Sequence, residues 1–559
     1  MNPAEAKILL QNLMNRIRQV DEQRYKLSGL LTDGEFQALR SALAALSDGS
    51  PVAMPVEQEL PVEPESEDES TEAIREPAFA LNTSVFELPH PPADRRVCLD
   101  FGTAMSKAVL VRDESGDRLE EVEVLQLGQP GDQEEISETM LVSSVFIDPQ
   151  GILRFGESAV KRSRVDAQSG GHMRIDNIKR YLAEEGLHSR VPEMFNPTAT
   201  DITNRDMILA YLMFFTWAVN RCLEDIGEPR NVGRRFALPC LDENKTRIMA
   251  QTLESMIGEA QILADTFADK LPDGVALDEF MRAVRELHQT QMEFNFVQEH
   301  LTEPLGAAGS LMSWYEDVNA LVMVIDVGAG TSDFSLYRMK FDAESGNSSS
   351  FEVAKSRKGI TEAGNHLDKL LKGFILAEAG VDSNHEDWIN IQSNLELDLR
   401  DYKERLFREK EIMVSLLNGE MVNVSLDEFL NLEQVMAFGE SLKACRNDIM
   451  QSVDSSFINS APFGQLAVAL TGGGATLPMV QDLAEGRMSV SDSEIRLART
   501  KNFPEWLERD FPDMEDDYPR IAVALGGARK QFIESGGVAH VTGGDVSRQT
   551  LDGYYTRGG

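Results

Sequence analysis

VCLDFGTAMSKAVLV at Val97–Val111 and IDVGAGTSDFSLY at Ile325–Tyr337 decide the reading of this chain. In each, an apolar strand ends in Asp-x-Gly, passes through small residues and returns as a second strand. Asp100 matches Asp326, Gly102 matches Gly328, Ser106 matches Ser332 and Leu110 matches Leu336. A turn of Gly and Thr leaves backbone N–H groups open on a concave surface that suits phosphate oxygens. An aspartate closing the incoming strand is placed to hold Mg²⁺ beside those phosphates, directly or through water. One such loop is an ordinary Gly-bearing hairpin. The echo of a second with Asp at the same offset points to a duplicated phosphate site. A third element, LAVALTGGGATLPMVQDL at Leu466–Leu483, is an apolar strand, a triple glycine and a helix with Pro478 in its first turn. Gly472, Gly473 and Gly474 there allow close approach of backbone to a flat ring or a phosphate.

Around these motifs the chain alternates apolar strand runs with amphipathic helices from about residue 94, the pattern of an α/β domain. Residues 4–46 carry helical spacing: Ile8, Leu9, Leu13 and Ile17, then Leu30, Leu31, Phe36, Leu39, Leu43 and Leu46. The expectation is a helical hairpin over 1–47 that docks on the body or on another chain. Residues 48–93 read as an acidic, Pro- and Glu-rich linker, and Gly536–Gly559 as a Gly-rich tail without helical or strand period. The terminal Gly558-Gly559 is too short a motif to carry a modifier-like reading.

Composition narrows the function classes. A formal charge of −39 argues against a nucleic-acid footprint, which relies on clustered Lys and Arg. The longest apolar stretches, such as Ala320–Val327, have strand length and fall short of the roughly 20 residues of a membrane helix. Cys98, Cys222, Cys240 and Cys445 are far apart, form no CxxC pair and follow no secretory leader, so a reducing cytoplasm is expected.

The three Gly motifs, in this order, resemble the phosphate-1, phosphate-2 and adenosine elements of the ATPase superfamily of actin, sugar kinases and seventy-kilodalton heat-shock chaperones. The resemblance is closest to the chaperones. IDNIKRYLA at Ile175–Ala183 is similar to the segment bearing their catalytic lysine, here Lys179, followed by Arg180. RFALPCLDENKTR at Arg235–Arg247 resembles their strand, proline switch and relay arginine, giving Pro239 and Arg247. LTEPLGAAGS at Leu301–Ser310 puts Glu303 where nucleotide couples to that proline. Gly364-Asn365 with Asp368, and ALGGA at Ala524–Ala528, resemble two further elements, the latter in a closing helix expected over Pro519–Phe532.

The resemblance covers roughly residues 95–535 and implies a two-lobed actin-like ATPase fold of duplicated ribonuclease-H-like domains. Lobe I would span 94–300, with an added helix near 258–292, and lobe II 301–535. It implies ATP or ADP with Mg²⁺, and K⁺ as a further cation. Asp326 would orient the attacking water or act as base, Thr331 contact the γ-phosphate and Lys179 stabilise developing charge. Asp100 and Asp333 would hold the cation mainly through water. Gly102, Thr103, Gly328, Gly330 and Lys403 would bind nucleotide with the triple glycine, and Glu303, Pro239 and Arg247 would relay its state.

The sequence also departs from the family. Ala104 and Met105 stand where a hydroxyl and an aromatic are usual, and Glu404 and Leu477 where two arginines sandwich adenine. Arg405, one residue after Glu404, is the substitute arginine if the helix register shifts, and Arg400 stands where a carboxylate is expected. The peptide-gripping domain of the chaperones has no counterpart in the two dozen or so residues after the body. The expectation is a slow ATPase switch that recruits a protein partner through residues 1–47 or the added helix, with homo-oligomers a further expectation. A filament-forming actin relative and a nucleotide-binding scaffold without hydrolysis are the alternatives.

Overall fold

A computed structural model describes residues 17–21, 24–27, 79–113, 120–128, 138–167, 173–183, 186–241, 243–290, 292–490, 493–501, 503–530 and 533. The chain divides into two compact units, Met1–Pro77 and Ala78–Gly559. In the first unit, Ile17–Asp21 and Arg24–Leu27 form an antiparallel strand pair, with Ile17 opposite Leu27. This corrects the helical reading at those residues. The helical spacing ends at Ile17, whereas Tyr25 and Leu27 alternate with Lys26 and β-branched Ile17 and Val20 favour a pleated strand. The remainder of the expected hairpin, most of the linker and the Gly-rich tail lie outside the described residues.

The second unit is mixed α/β and packs from Phe79, ahead of the boundary read at 94. Phe79 and Leu81 rest on the first apolar core and Val85 is buried in it. The Asn82 N–H donates to Thr266 Oγ1 at 2.9 Å, and Asn231 Nδ2 donates to the Pro89 carbonyl at 2.9 Å. Apolar side chains set among the prolines make this segment adhere.

Two mixed sheets organise the unit. In the first, Val297–Thr302, Gly233–Leu238 and Arg95–Asp100 run parallel, and Met105–Asp113 and Glu120–Val124 continue antiparallel. In the second, Ser493–Arg499, Gln465–Thr471 and Val318–Val327 run parallel and Ser332–Asp342 follows antiparallel. Both sheets therefore contain the same local motif: two parallel strands, the Asp-bearing strand, and its hairpin partner. The registers match as well, since Asp100 lies opposite Lys107 and Asp326 opposite Asp333.

Two helices, Glu303–Leu311 and Tyr518–Ala528, share one apolar core with residues from both sheets, including Cys98 and Val109 of the first and Val322 and Val324 of the second. They cross at glycine: a Cβ on Gly526 would lie 1.8 Å from the Gly306 carbonyl oxygen, so no larger residue fits without moving backbone. The last carbonyls of Tyr518–Ala528 have no intrahelical donors and are met by buried arginines. Arg96 Nε donates to Ala528 O at 3.2 Å, and Arg235 Nη1 donates to Arg529 O at 2.8 Å. Arg529 is fully buried, paired with Glu120 and donating to the Gly309 and Met312 carbonyls.

The added helix runs over Leu277–Gln289 and buries Leu277, Phe280, Ala283, Val284 and Leu287. Its apolar stripe thus belongs to the first core, leaving only its polar face for any partner. Among the described residues no helix is long and apolar enough to cross a membrane.

Candidate functional site

The Gly turns, Lys179, Glu303 and Lys403 line one cavity of about 970 Å³. It also takes in Asp100, Thr103, Asp326, Gly328, Gly330, Thr331, Pro239 and the Gly472–Gly474 turn. Its lining holds ten Lys and Arg against six Asp and Glu, within a chain of net charge −39. The charge inversion is local.

Each loop is built from its hairpin. A Cβ on Gly102 would lie 1.9 Å from the Met105 carbonyl oxygen, so the first turn closes only with glycine. Ser143 fastens this turn from behind: its N–H donates to Ala104 O at 2.9 Å and its hydroxyl to Gly102 O at 2.9 Å. In the second loop the Gly328 N–H donates to Thr331 O at 3.0 Å, while Gly328 O accepts from the Gly364 N–H at 3.1 Å. The two loops face each other, since a Cβ on Gly330 would come within 2.6 Å of Thr103 Oγ1.

The triple glycine divides its work. Gly472 has φ +80° and a Cβ there would lie 2.7 Å from Asp326 Oδ1, so this glycine lets the turn pack on the carboxylate. Gly474 is tight against Val327, whereas Gly473 faces open space.

The charged groups are close and buried. Lys179 Nζ donates to Glu303 Oε1 at 2.6 Å, and Lys107 Nζ donates to Asp100 Oδ2 at 3.2 Å. Among the described residues Asp326 forms no ion pair, and the Thr471 hydroxyl donates to its Oδ1 at 3.0 Å. Burial, reinforced by the Glu303 and Asp100 charges, pushes the Asp326 carboxyl up to about 7. Burial works against the Lys179 cation, but the surrounding Glu303 and Asp100 carboxylates outweigh it and hold Lys179 above the usual lysine range.

Asp333 is placed differently from expectation. It is fully buried and does not line the cavity; it accepts the Thr331 hydroxyl at 2.6 Å and the Cys240 N–H at 2.7 Å. Burial, with Glu303 nearby, raises its carboxyl well above the ordinary range. Its contacts support Thr331 and the backbone beside Pro239. Pro239 is buried at the cavity wall, but Arg247 is exposed and lies off it.

Lys403 Nζ is held by Asp368 Oδ1 at 2.8 Å and donates to Gly364 O at 3.2 Å. Glu404, Leu477 and Arg400 line the cavity near it, while Arg405 pairs with Glu409 outside the lining. Lys107, Thr471 and the Cys240 N–H were missed by sequence reasoning. Lys107 had a signal: counting back along the antiparallel hairpin places it opposite Asp100, where the second hairpin carries Asp333.

Among the described residues no group of three or more His, Cys, Asp or Glu converges as a metal cage. Asp100, Asp326 and Glu303 nonetheless bring three carboxylates to one cavity beside Lys107 and Lys179. Such a site suits Mg²⁺, which commonly binds through one or two carboxylates and takes its other ligands from waters and phosphates. Compared with known proteins, the chain matches no family model and no curated protein.

Proposed function

We propose that this chain binds a nucleoside triphosphate with Mg²⁺ and hydrolyses it slowly, using the nucleotide state as a conformational switch for a protein partner. The observation that carries the proposal is the convergence of two Asp-bearing Gly hairpins and the buried Lys179–Glu303 pair on one locally cationic cavity. A two-lobed actin-like ATPase architecture is the reading the repeated sheet motif supports, and the resemblance implies ATP as the nucleotide.

In this reading the loops at Gly102–Thr103 and Gly328–Thr331 hold the phosphates. Asp100 and Asp326 would hold Mg²⁺, which when bound neutralises phosphate charge and fixes its orientation. Lys107 and Lys179 bring positive charge to the phosphate oxygens from the two sides of the first loop. Thr331 lines the same cavity; its hydroxyl, which donates to Asp333, would contact the γ-phosphate by turning that proton from the carboxylate to a phosphate oxygen. Catalysis then consists of positioning water and stabilising charge that develops on the transferred group. Ion pairing of Glu303 with Lys179, next to Pro239, couples occupancy to the Gly233–Leu238 strand.

Calorimetry with Mg²⁺ and purine nucleoside triphosphates, followed by phosphate release, tests this on the wild type and on Asp326→Asn. Binding with slow release that the substitution abolishes is expected. Binding without release in the wild type would leave a nucleotide-holding scaffold, and absence of binding would overturn the proposal.

A further inference from the structure

The helix Trp388–Glu409 buries Ile391, Leu395, Leu399 and Leu406 in the second apolar core, yet its middle is tied to a segment of the first. Arg164 Nε pairs with Asp398 Oδ1 at 2.6 Å, and its Nη2 pairs with Asp401 Oδ2 at 2.5 Å. Arg174, next to Ile175 of the first core, donates through Nη2 to Leu397 O at 3.2 Å and through Nε to Asp176 Oδ1 at 2.8 Å. Further along the helix, Lys403 Nζ donates to Gly364 O at 3.2 Å, and the Gly364 N–H donates to Gly328 O of the second loop at 3.1 Å. Residues 397–403 thus run between the first core and the second loop, and Arg400, at their centre, lines the cavity.

Arg400 is half-buried and, among the described residues, makes no hydrogen bond or ion pair. The cations around it are taken: Arg164 by Asp398 and Asp401, Arg174 by Asp176, and Lys403 by Asp368. At the first loop Lys107 is held by Asp100 and Lys179 by Glu303. The Arg400 charge nonetheless reaches the back of that loop. Burial works against the Asp176 carboxylate, but Arg174 and then Arg400 outweigh it and hold the carboxyl below its ordinary range. Burial also pushes the Tyr211 phenol up, opposed by its bonds with Ser106 and Ser143 and by the Arg400 charge. Tyr211 Oη donates to Ser106 Oγ at 2.9 Å, and the Ser143 hydroxyl donates to Gly102 O at 2.9 Å, so these groups stand directly behind the first turn.

We infer that Arg400 contacts the terminal phosphate of the bound triphosphate, reaching it from the helix of the second core while the first loop holds the phosphates from the other side. This rests on the nucleotide reading above and adds to it the residue that tells triphosphate from diphosphate. A guanidinium carries five N–H donors and keeps its charge at any physiological pH. Without a partner at a cavity wall, it offers phosphate oxygens a two-pronged, charge-assisted contact. Lys107 and Lys179 already offset carboxylates, and Mg²⁺ offsets part of the phosphate chain. The negative charge that a triphosphate carries beyond a diphosphate therefore falls to the unpartnered cation. Loss of that phosphate would release Arg400 and remove one tie between the two cores, which gives nucleotide state a physical route to the packing of the body.

The test is calorimetry on the full chain with the Mg²⁺ complexes of ATP, ADP and inorganic tripolyphosphate, for the wild type, Arg400→Ala and Arg400→Lys. Arg400→Ala is expected to weaken ATP and tripolyphosphate by about tenfold to a hundredfold and to change ADP by less than about threefold. Arg400→Lys keeps the charge without the planar fork and should recover part of the ATP affinity. Equal weakening of ATP and ADP, as follows if Arg400 only steadies Asp176 and the helix, overturns the assignment. ATP binding unchanged in Arg400→Ala overturns it too, and in both cases the triphosphate reading stands. Failure of the wild type to bind any of the three ligands overturns both.

Discussion

Replacing Asp326 by Asn should make the metal-free protein more stable at pH 8 and no more stable below about pH 4. The carboxyl is 5% exposed and its pKa rises from 3.8 to about 7 through burial and the neighbouring Glu303 and Asp100 charges. An acid whose pKa is higher folded than unfolded binds more protons in the native state. Its contribution to stability is fully present below pH 3.8 and is lost as pH rises through about 7. At roughly 1.4 kcal/mol per unit, ionising the native carboxyl opposes folding by about 4 kcal/mol well above pH 7, and sharing among the neighbouring acids brings this to on the order of 2–4 kcal/mol. Asn removes the charge and keeps an oxygen for the Thr471 hydroxyl, which donates to Asp326 at 3.0 Å. Thermal unfolding of both proteins in chelator between pH 4 and 8.5 should show the curves separating as pH rises from about 4 to about 7 and running parallel above that, with the variant melting a few degrees higher at the alkaline end. Adding Mg²⁺ and triphosphate should stabilise the wild type most at pH 8, where the cation does not compete with a proton, and the variant little at any pH. A difference between the proteins that is constant with pH, or a variant less stable at pH 8, would refute the electrostatic account of the site.

Three further outcomes are expected. Lys179→Ala leaves Glu303 buried without its partner at 2.6 Å, so urea unfolding should show a loss of about 3–5 kcal/mol, and phosphate release should fall by about a hundredfold or more. Lys107→Ala removes a cation from the phosphate end without breaking the hairpin ladder, and calorimetry should show triphosphate affinity weakened by about tenfold with the fold intact by circular dichroism. Gly526→Ala forces a Cβ to 1.8 Å from Gly306 O, and the helix crossing should separate at a cost of about 3 kcal/mol or more, seen as a lower urea midpoint or as insoluble protein on expression.

The sequence by itself determined the parts whose chemistry is local. The Asp-x-Gly hairpins were legible because alternating apolar residues define strands and glycine marks the turns between them, and both pairs form at Arg95–Asp113 and Val318–Asp342. The mixed α/β character followed from the same periodicities, as did the added helix, found at Leu277–Gln289. Its apolar stripe could be counted, but only the fold decided that the stripe faces inward. The strand pair at 17–27 was missed because β-branched and aromatic residues overrode a helical spacing that merely extended into them.

Tertiary structure alone decided which charges meet. Lys179 and Glu303 are far apart in the chain, and they meet because Val297–Thr302 joins the first sheet and delivers Glu303 at its end to the cavity. The Asp-x-Gly turn marks Asp326 in the sequence, but nothing local says which side chains Asp333 meets. Their fates part once the fold supplies partners: Cys240 N–H and the Thr331 hydroxyl take Asp333, whereas Asp326 is left at the cavity. Sequence pattern specifies backbone conformation through steric preference and burial, which are short-range. The electrostatic state of a buried group is set by distances in space, and those exist only after the chain has folded.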